Sequence, residues 1–142
     1  MKRTFEIVPG KSVGPIAFGM TQKEVRAVLG RSGHTFEKTP LESSPAESFD
    51  SVGLIVHYSP GVKKVVAIEV SPPGVAILRG RDLLGMNAKQ LRKHLEGRLL
   101  DYDAGFTAVD ELLSAYCPEE YLRKTAQVES VCFAASADQL AS

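Results

Sequence analysis

The chain has no excess of charge. Its 142 residues carry 17 Lys+Arg against 17 Asp+Glu, a formal net charge of zero. That removes the global electrostatic footprint of a dedicated nucleic-acid binder. Split at residue 75, the first part has 9 basic and 7 acidic residues and the second 8 and 10, which names no partner by charge. There is no apolar run near the roughly 18 residues that a membrane helix needs. The N-terminus starts Met-Lys-Arg like a secretory signal, but Glu6 and Pro9 interrupt any apolar core. The expectation is a cytoplasmic protein, or a mature chain whose signal was removed, with no membrane partner. Cysteine is scarce: Cys117 and Cys132 cannot make a secreted-type disulfide framework. They could pair with one another, or remain as buried thiols in a reducing compartment. With no CxxC and three scattered histidines, no zinc set can be assembled, and no cofactor is expected.

What the chain does have is a repeat. Gly14 to Thr21 reads GPIAFGMT, and 66 residues later Gly80 to Asn87 reads GRDLLGMN. In the first copy Thr21 is a helix N-cap and Glu24 completes a capping box. Val25, Val28 and Leu29 make a buried stripe, and Gly30 stops the helix. The second copy keeps this logic with Asn87, Gln90, Leu91, Leu95 and Gly97. Strand signals at 4–8, 53–58, 64–70, 112–117 and 127–133 complete the pattern, with a hairpin turn over 59–63. The stretch 38–47 reads as a polar mobile loop, and 118–124 as an insertion in the second copy, with at most one helical turn. These signals predict an α+β protein. It would consist of two tandem helix-plus-β-meander repeats, 1–75 and 76–142, packed as one globular unit with helices on one face of antiparallel sheet.

The pattern Gly-x4-Gly-Met-[Thr/Asn]-x3-[Val/Leu]-Arg-x2-Leu, over residues 13–30 and 79–97, resembles the helix start of the outer-membrane assembly lipoprotein BamE and of the tandem-repeat β-lactamase inhibitory proteins. The resemblance to the inhibitory proteins implies a sheet surface presented to a partner enzyme. Small proteins of this kind also resemble immunity proteins encoded beside bacterial toxins. A BamE-like envelope scaffold is the alternative that the same resemblance implies.

The chemistry-bearing residues point the same way. His57 lies between Val56 and Tyr58 on a strand, and His94 occupies the helix position of Val28. A small hydrolase using His57 would need a pocket and a nearby carboxylate. Lys89, Arg92 and Lys93 form a basic i, i+3, i+4 stripe, with Arg79, Arg81 and Arg98 near its ends; it reads as a solvated face or a phosphate contact. Gly14, Gly19, Gly80 and Gly85 lack the residues of a phosphate loop. The most unusual cluster is Asp101, Tyr102, Asp103 and Phe106 followed by Asp110 and Glu111. Aromatics flanked by acids suit a protein interface. The other readings are a simple surface strand and turn, or a calcium loop that lacks EF-hand spacing. Taken together, the sequence reading is a non-enzymatic, protein-binding inhibitor, monomeric when free. Its most specific form is an immunity protein that covers the active site of a cognate toxin or effector domain. Function is expected where the two copies differ.

Overall fold

The computed structural model describes residues 3–31, 33–37 and 45–137. The chain opens with strands β1 (Thr4–Val8), β2 (Ser12–Val13) and β3 (Ile16–Ala17), then helix α1 (Gln22–Leu29). Four strands follow: β4 (His34–Glu37), β5 (Pro45–Phe49), β6 (Leu54–Tyr58) and β7 (Val65–Val70). Two more, β8 (Val75–Leu78) and β9 (Arg81–Asp82), lead into helix α2 (Ala88–His94). The chain ends with β10 (Leu99–Tyr102), β11 (Gly105–Ala108), β12 (Leu113–Tyr116) and β13 (Ser130–Ala134).

The expected α+β architecture of two helix-plus-meander repeats is corrected. The protein is mostly β, with two short α-helices among the described residues. One sheet has eight antiparallel strands in the order β10-β11-β12-β13-β7-β6-β5-β4, and the other has five in the order β3-β2-β1-β8-β9. Both sheets draw strands from either side of residue 75. The second contains a parallel pair, with Phe5 opposite Ala76, which antiparallel meanders do not provide. The stretch read as a loop over 38–47 contributes Pro45–Glu47 to β5, while 38–44 lies outside the described residues. The sequence carries no strand signal at β8 (Val75–Leu78), and the surface strand and turn that is one reading of the Asp101–Phe106 cluster corresponds to the β10–β11 hairpin.

The helix starts hold, but Val28 is exposed rather than part of a buried stripe, and α2 ends at His94 with an extended Leu95 as its C-cap, short of Gly97. Both capping boxes are formed: Thr21 accepts from the Glu24 amide, Asn87 from that of Gln90, and each partner side chain reaches back. Gly30 adopts the left-handed conformation, φ 73°, and its N–H caps α1. Val25 and Leu29 on α1, and Leu91 on α2, enter the same core as Phe5, Tyr58, Phe106 and Phe133. Burying each such side chain contributes about 1.5–3 kcal/mol.

The register of the large sheet decides where function can sit. Glu47, Val56, Ile68, Phe133, Leu113 and Ala108 lie in register on one face, and Phe106, Ala115, Val131 and Val70 share it. Arg26 of α1 reaches Glu47, and Arg92 of α2 lies over Phe106, so both helices cover this face. The other face carries His57, Glu69, Cys132, Ser114 and Tyr102. Among the described residues no helix is long and apolar enough to cross a membrane.

Candidate protein-binding groove

Helix α2 begins with backbone donors that have no partner inside the helix. The segment after β12 supplies acceptors: Ala88 N–H donates to Ala126 O (2.9 Å) and Lys89 N–H to Lys124 O (3.0 Å). This docks 118–126 against the start of α2. The segment turns tightly, with Leu122 and Arg123 N–H both donating to Glu119 O. The β10–β11 hairpin lies alongside, its register pairing Tyr102 with Gly105. Helix, hairpin and inserted segment enclose a groove of about 780 Å3.

Arg92 ties the three together. Its Nε donates to Glu120 Oε2 at 2.6 Å and its Nη2 to Oε1 at 2.9 Å, a two-pronged contact with the inserted segment. The same Nη2 pairs with Asp101 on β10. The guanidinium lies 4.1 Å from the centroid of the Phe106 ring. The hydrogen bonds that Arg92 donates to Glu120 and then to Asp101 raise its pKa further above its already high value. Arg26 holds the matching position in α1, but its acceptor is the buried sheet carboxylate Glu47 (2.9 Å). One helix position therefore anchors the core in the first half and an exposed insertion in the second. Arg92→Lys keeps the charge but loses the fork. It is expected to cost about 1–2 kcal/mol in urea unfolding, while Arg92→Gln costs more because Glu120 loses its counter-charge.

Around this clamp the surface is apolar and basic. Tyr121 is 81% and Leu122 67% exposed in the groove lining. Tyr102 lines the groove's edge, but its ring lies on the other face of the sheet, where its hydroxyl donates to Ala115 O at 2.7 Å. Its pKa is raised, first by burial. Lys89, Lys93, Arg123 and Lys124 are exposed along the same lining. Cys117 also lines the groove. Its thiol is buried within reach of Ala126 O (3.5 Å) and Gln127 O (3.3 Å), and burial, then Glu120 and Glu129, push its pKa up. Both cysteines are thiols.

The structure divides the six residues singled out from sequence. Asp101, Tyr102 and Asp103 line the groove. Phe106 does not offer an exposed ring; it is fully buried beneath Arg92. Glu111 is buried and paired with Arg79, and it accepts from Glu96 N–H at 2.8 Å. Asp110 accepts from Arg98 N–H, outside the groove lining. Asp101 is bound to Arg92 rather than left to steer a basic partner. Sequence reasoning missed Tyr121, Leu122 and Lys124, although the apolar pair inside a polar insertion was a usable signal. The basic stripe also divides: Arg92 is clamped, and Lys89 and Lys93 face solvent. His94 Nε2 donates to Leu78 O (2.7 Å) as part of the fold. His57 is half-buried on β6 and is not among the groove residues. No group of three or more metal-binding side chains occurs among the described residues.

No protein-family model matches the chain, and no curated protein does. Among solved structures, it is similar to the uncharacterized protein yfeY from Escherichia coli, with a TM-score of 0.58 and 13% identity. The similarity covers 94% of this chain and 99% of that one, and at this identity it shows the fold alone.

Proposed function

We propose that this chain is a non-enzymatic protein-binding module that acts by covering a partner's surface. The observation that carries the reading is the exposed Tyr121–Leu122 pair, held on the groove rim by the Arg92–Glu120 clamp. A large aromatic and an aliphatic side chain left in water on a rigid mount are typical anchors of a protein interface. The groove's other chemistry is structural. Arg92, Asp101 and Glu120 are bound to one another, and the buried Cys117 thiol is held away from the thiolate form that a nucleophile needs. Immunity against a toxin and envelope scaffolding are the two sequence-based versions of this reading. The groove supports what they share, a protein that covers another protein. Cytoplasmic residence and a monomeric free state go with the immunity version, in which Cys117 and Cys132 stay reduced.

The test is partner capture from the source cells with a Tyr121→Ala/Leu122→Ala double variant. Both side chains are exposed, so unfolding free energy should change by no more than about 0.5 kcal/mol. Affinity for the captured partner should fall at least about tenfold, as hot-spot truncations do. Undiminished capture by the folded double variant overturns the reading.

A further inference from the structure

The groove's charge specifies what enters it, provided the protein-binding reading holds. Its lining has five cations, Lys89, Arg92, Lys93, Arg123 and Lys124, and three carboxylates, Asp101, Asp103 and Glu120. Two of those carboxylates are bound to Arg92. Arg123 has only a 3.9 Å contact to Glu119, both side chains well exposed, which holds it weakly. Among the described residues no carboxylate lies within 4 Å of the ammonium groups of Lys89, Lys93 or Lys124. A chain of zero net charge thus places three lysines without a carboxylate partner around one concavity, beside an exposed apolar pair.

We infer that the groove receives an acidic segment of a partner protein, one that carries an apolar side chain among its carboxylates. The lysines are spaced at i and i+4 on α2, with Lys124 across the groove, and they flank the place where such a chain would lie. Tyr121 and Leu122 give the apolar side chain a surface to desolvate against. Lysine suits this role: a mobile ammonium meets scattered carboxylates without demanding a planar fork. A concavity of this size takes a protruding segment rather than a flat face. A phosphate backbone fits less well. Asp103 stands in the lining with no cation paired to it among the described residues, and the chain as a whole carries zero net charge.

The experiment uses the full chain and three labelled seven-residue peptides, each with one central phenylalanine. The flanking residues are all glutamate, all glutamine or all lysine. Binding is read by fluorescence anisotropy at 50 and 500 mM salt, and located by amide chemical shifts. The glutamate peptide should bind at least tenfold more tightly than either control at low salt, and weaken at high salt. Shifts should cluster at 89–93, 101–105 and 120–124. Lys89→Glu/Lys93→Glu/Lys124→Glu should abolish binding. The same three positions changed to Gln, a milder variant that guards against misfolding, should weaken it at least fivefold. Equal binding of the three peptides, shifts elsewhere, or displacement by a thymidine oligonucleotide at lower concentration than by unlabelled glutamate peptide overturns the inference. The two readings fail separately. If the lysine variants still capture the cellular partner and the Tyr121/Leu122 variant does not, the acidic segment is wrong and protein binding stands. If the Tyr121/Leu122 variant captures it too, protein binding itself is wrong.

Discussion

Glu47→Ala is expected to destabilise the protein by about 3–5 kcal/mol, read as a fall in the urea midpoint at unchanged slope. Glu47 is fully buried and accepts from four donors: two on α1, one just after it and one on β6. These are Arg26 Nε at 2.9 Å, Gly33 N–H at 2.7 Å, Tyr58 OH at 3.0 Å and Gln22 Nε2 at 3.4 Å. Alanine would leave the buried Tyr58 hydroxyl and a cation without an acceptor, and would open a void beneath α1. A cost below 1 kcal/mol would mean that water replaces the carboxylate and that the cluster is not structural. The pH dependence follows from the same contacts. Burial pushes the Glu47 carboxyl up, but the bonds from Gly33, Arg26 and Tyr58 outweigh it and leave the pKa below the ordinary value. A carboxylate whose folded pKa is depressed stabilises the fold above its unfolded pKa of about 4.3 and loses that effect as pH falls below it. Glu47→Gln should therefore show a flatter loss of stability on acidification. Tyr58 has the opposite sign: burial, with Glu47 beside it, raises its pKa. Its contribution should persist to about pH 10 and disappear as pH rises beyond the unfolded value.

Gly53→Ala is the second large effect, with an expected cost of about 3 kcal/mol or more and a sharply lowered yield of folded protein. Gly53 has φ 75° and joins a short helical turn, Asp50–Val52, to β6. A methyl group there would overlap the carbonyl oxygen of Ser71 and the backbone of Gly74. Neither can move away, because Ser71 N–H donates to Gly53 O at 2.9 Å and Gly74 N–H to Ser71 O at 2.8 Å. The left-handed backbone alone costs about 1–2 kcal/mol for a residue with a side chain, and the overlap adds to it. In the second half the same junction is Leu112, which is left-handed at φ 53°. Non-glycine residues are thus tolerated there where the backbone is less crowded. Alanine at Gly53 with an unchanged melting temperature would show that the Ser71–Gly74 turn can yield.

The parts of this fold that were legible in the sequence are those set by neighbours in the chain. Thr21 with Glu24, and Asn87 with Gln90, announce helix starts because the capping chemistry is complete within four residues. Phe5 and Ile7 announce β1 because one face is buried and the other wet. Strand β5 hid because its inward residue is Glu47, a charge whose partners Arg26 and Gly33 are distant in sequence. Strand β11 was faint because Gly105, Phe106, Thr107 and Ala108 are all buried, so no alternation marks them. Those hidden or faint strands are why two helical signals suggested more helix than the chain contains. The groove was half legible: Asp101 to Asp103 stood out, while Tyr121 and Leu122 needed the docking of 118–126 on α2 to acquire meaning. Asp110 and Glu111 follow Phe106 closely in sequence, but β11 carries them away from the groove to Arg98 and Arg79.

The most direct measurement places a photo-activatable cross-linker at Leu122 and, separately, at Val62, which is 71% exposed on the turn before β7 in the first half. Both proteins are irradiated in the cells that make them. A discrete cross-linked partner from position 122 and none from position 62 is the predicted result. Equal cross-linking from the two positions, or none from 122, would contradict the groove as the protein's binding surface.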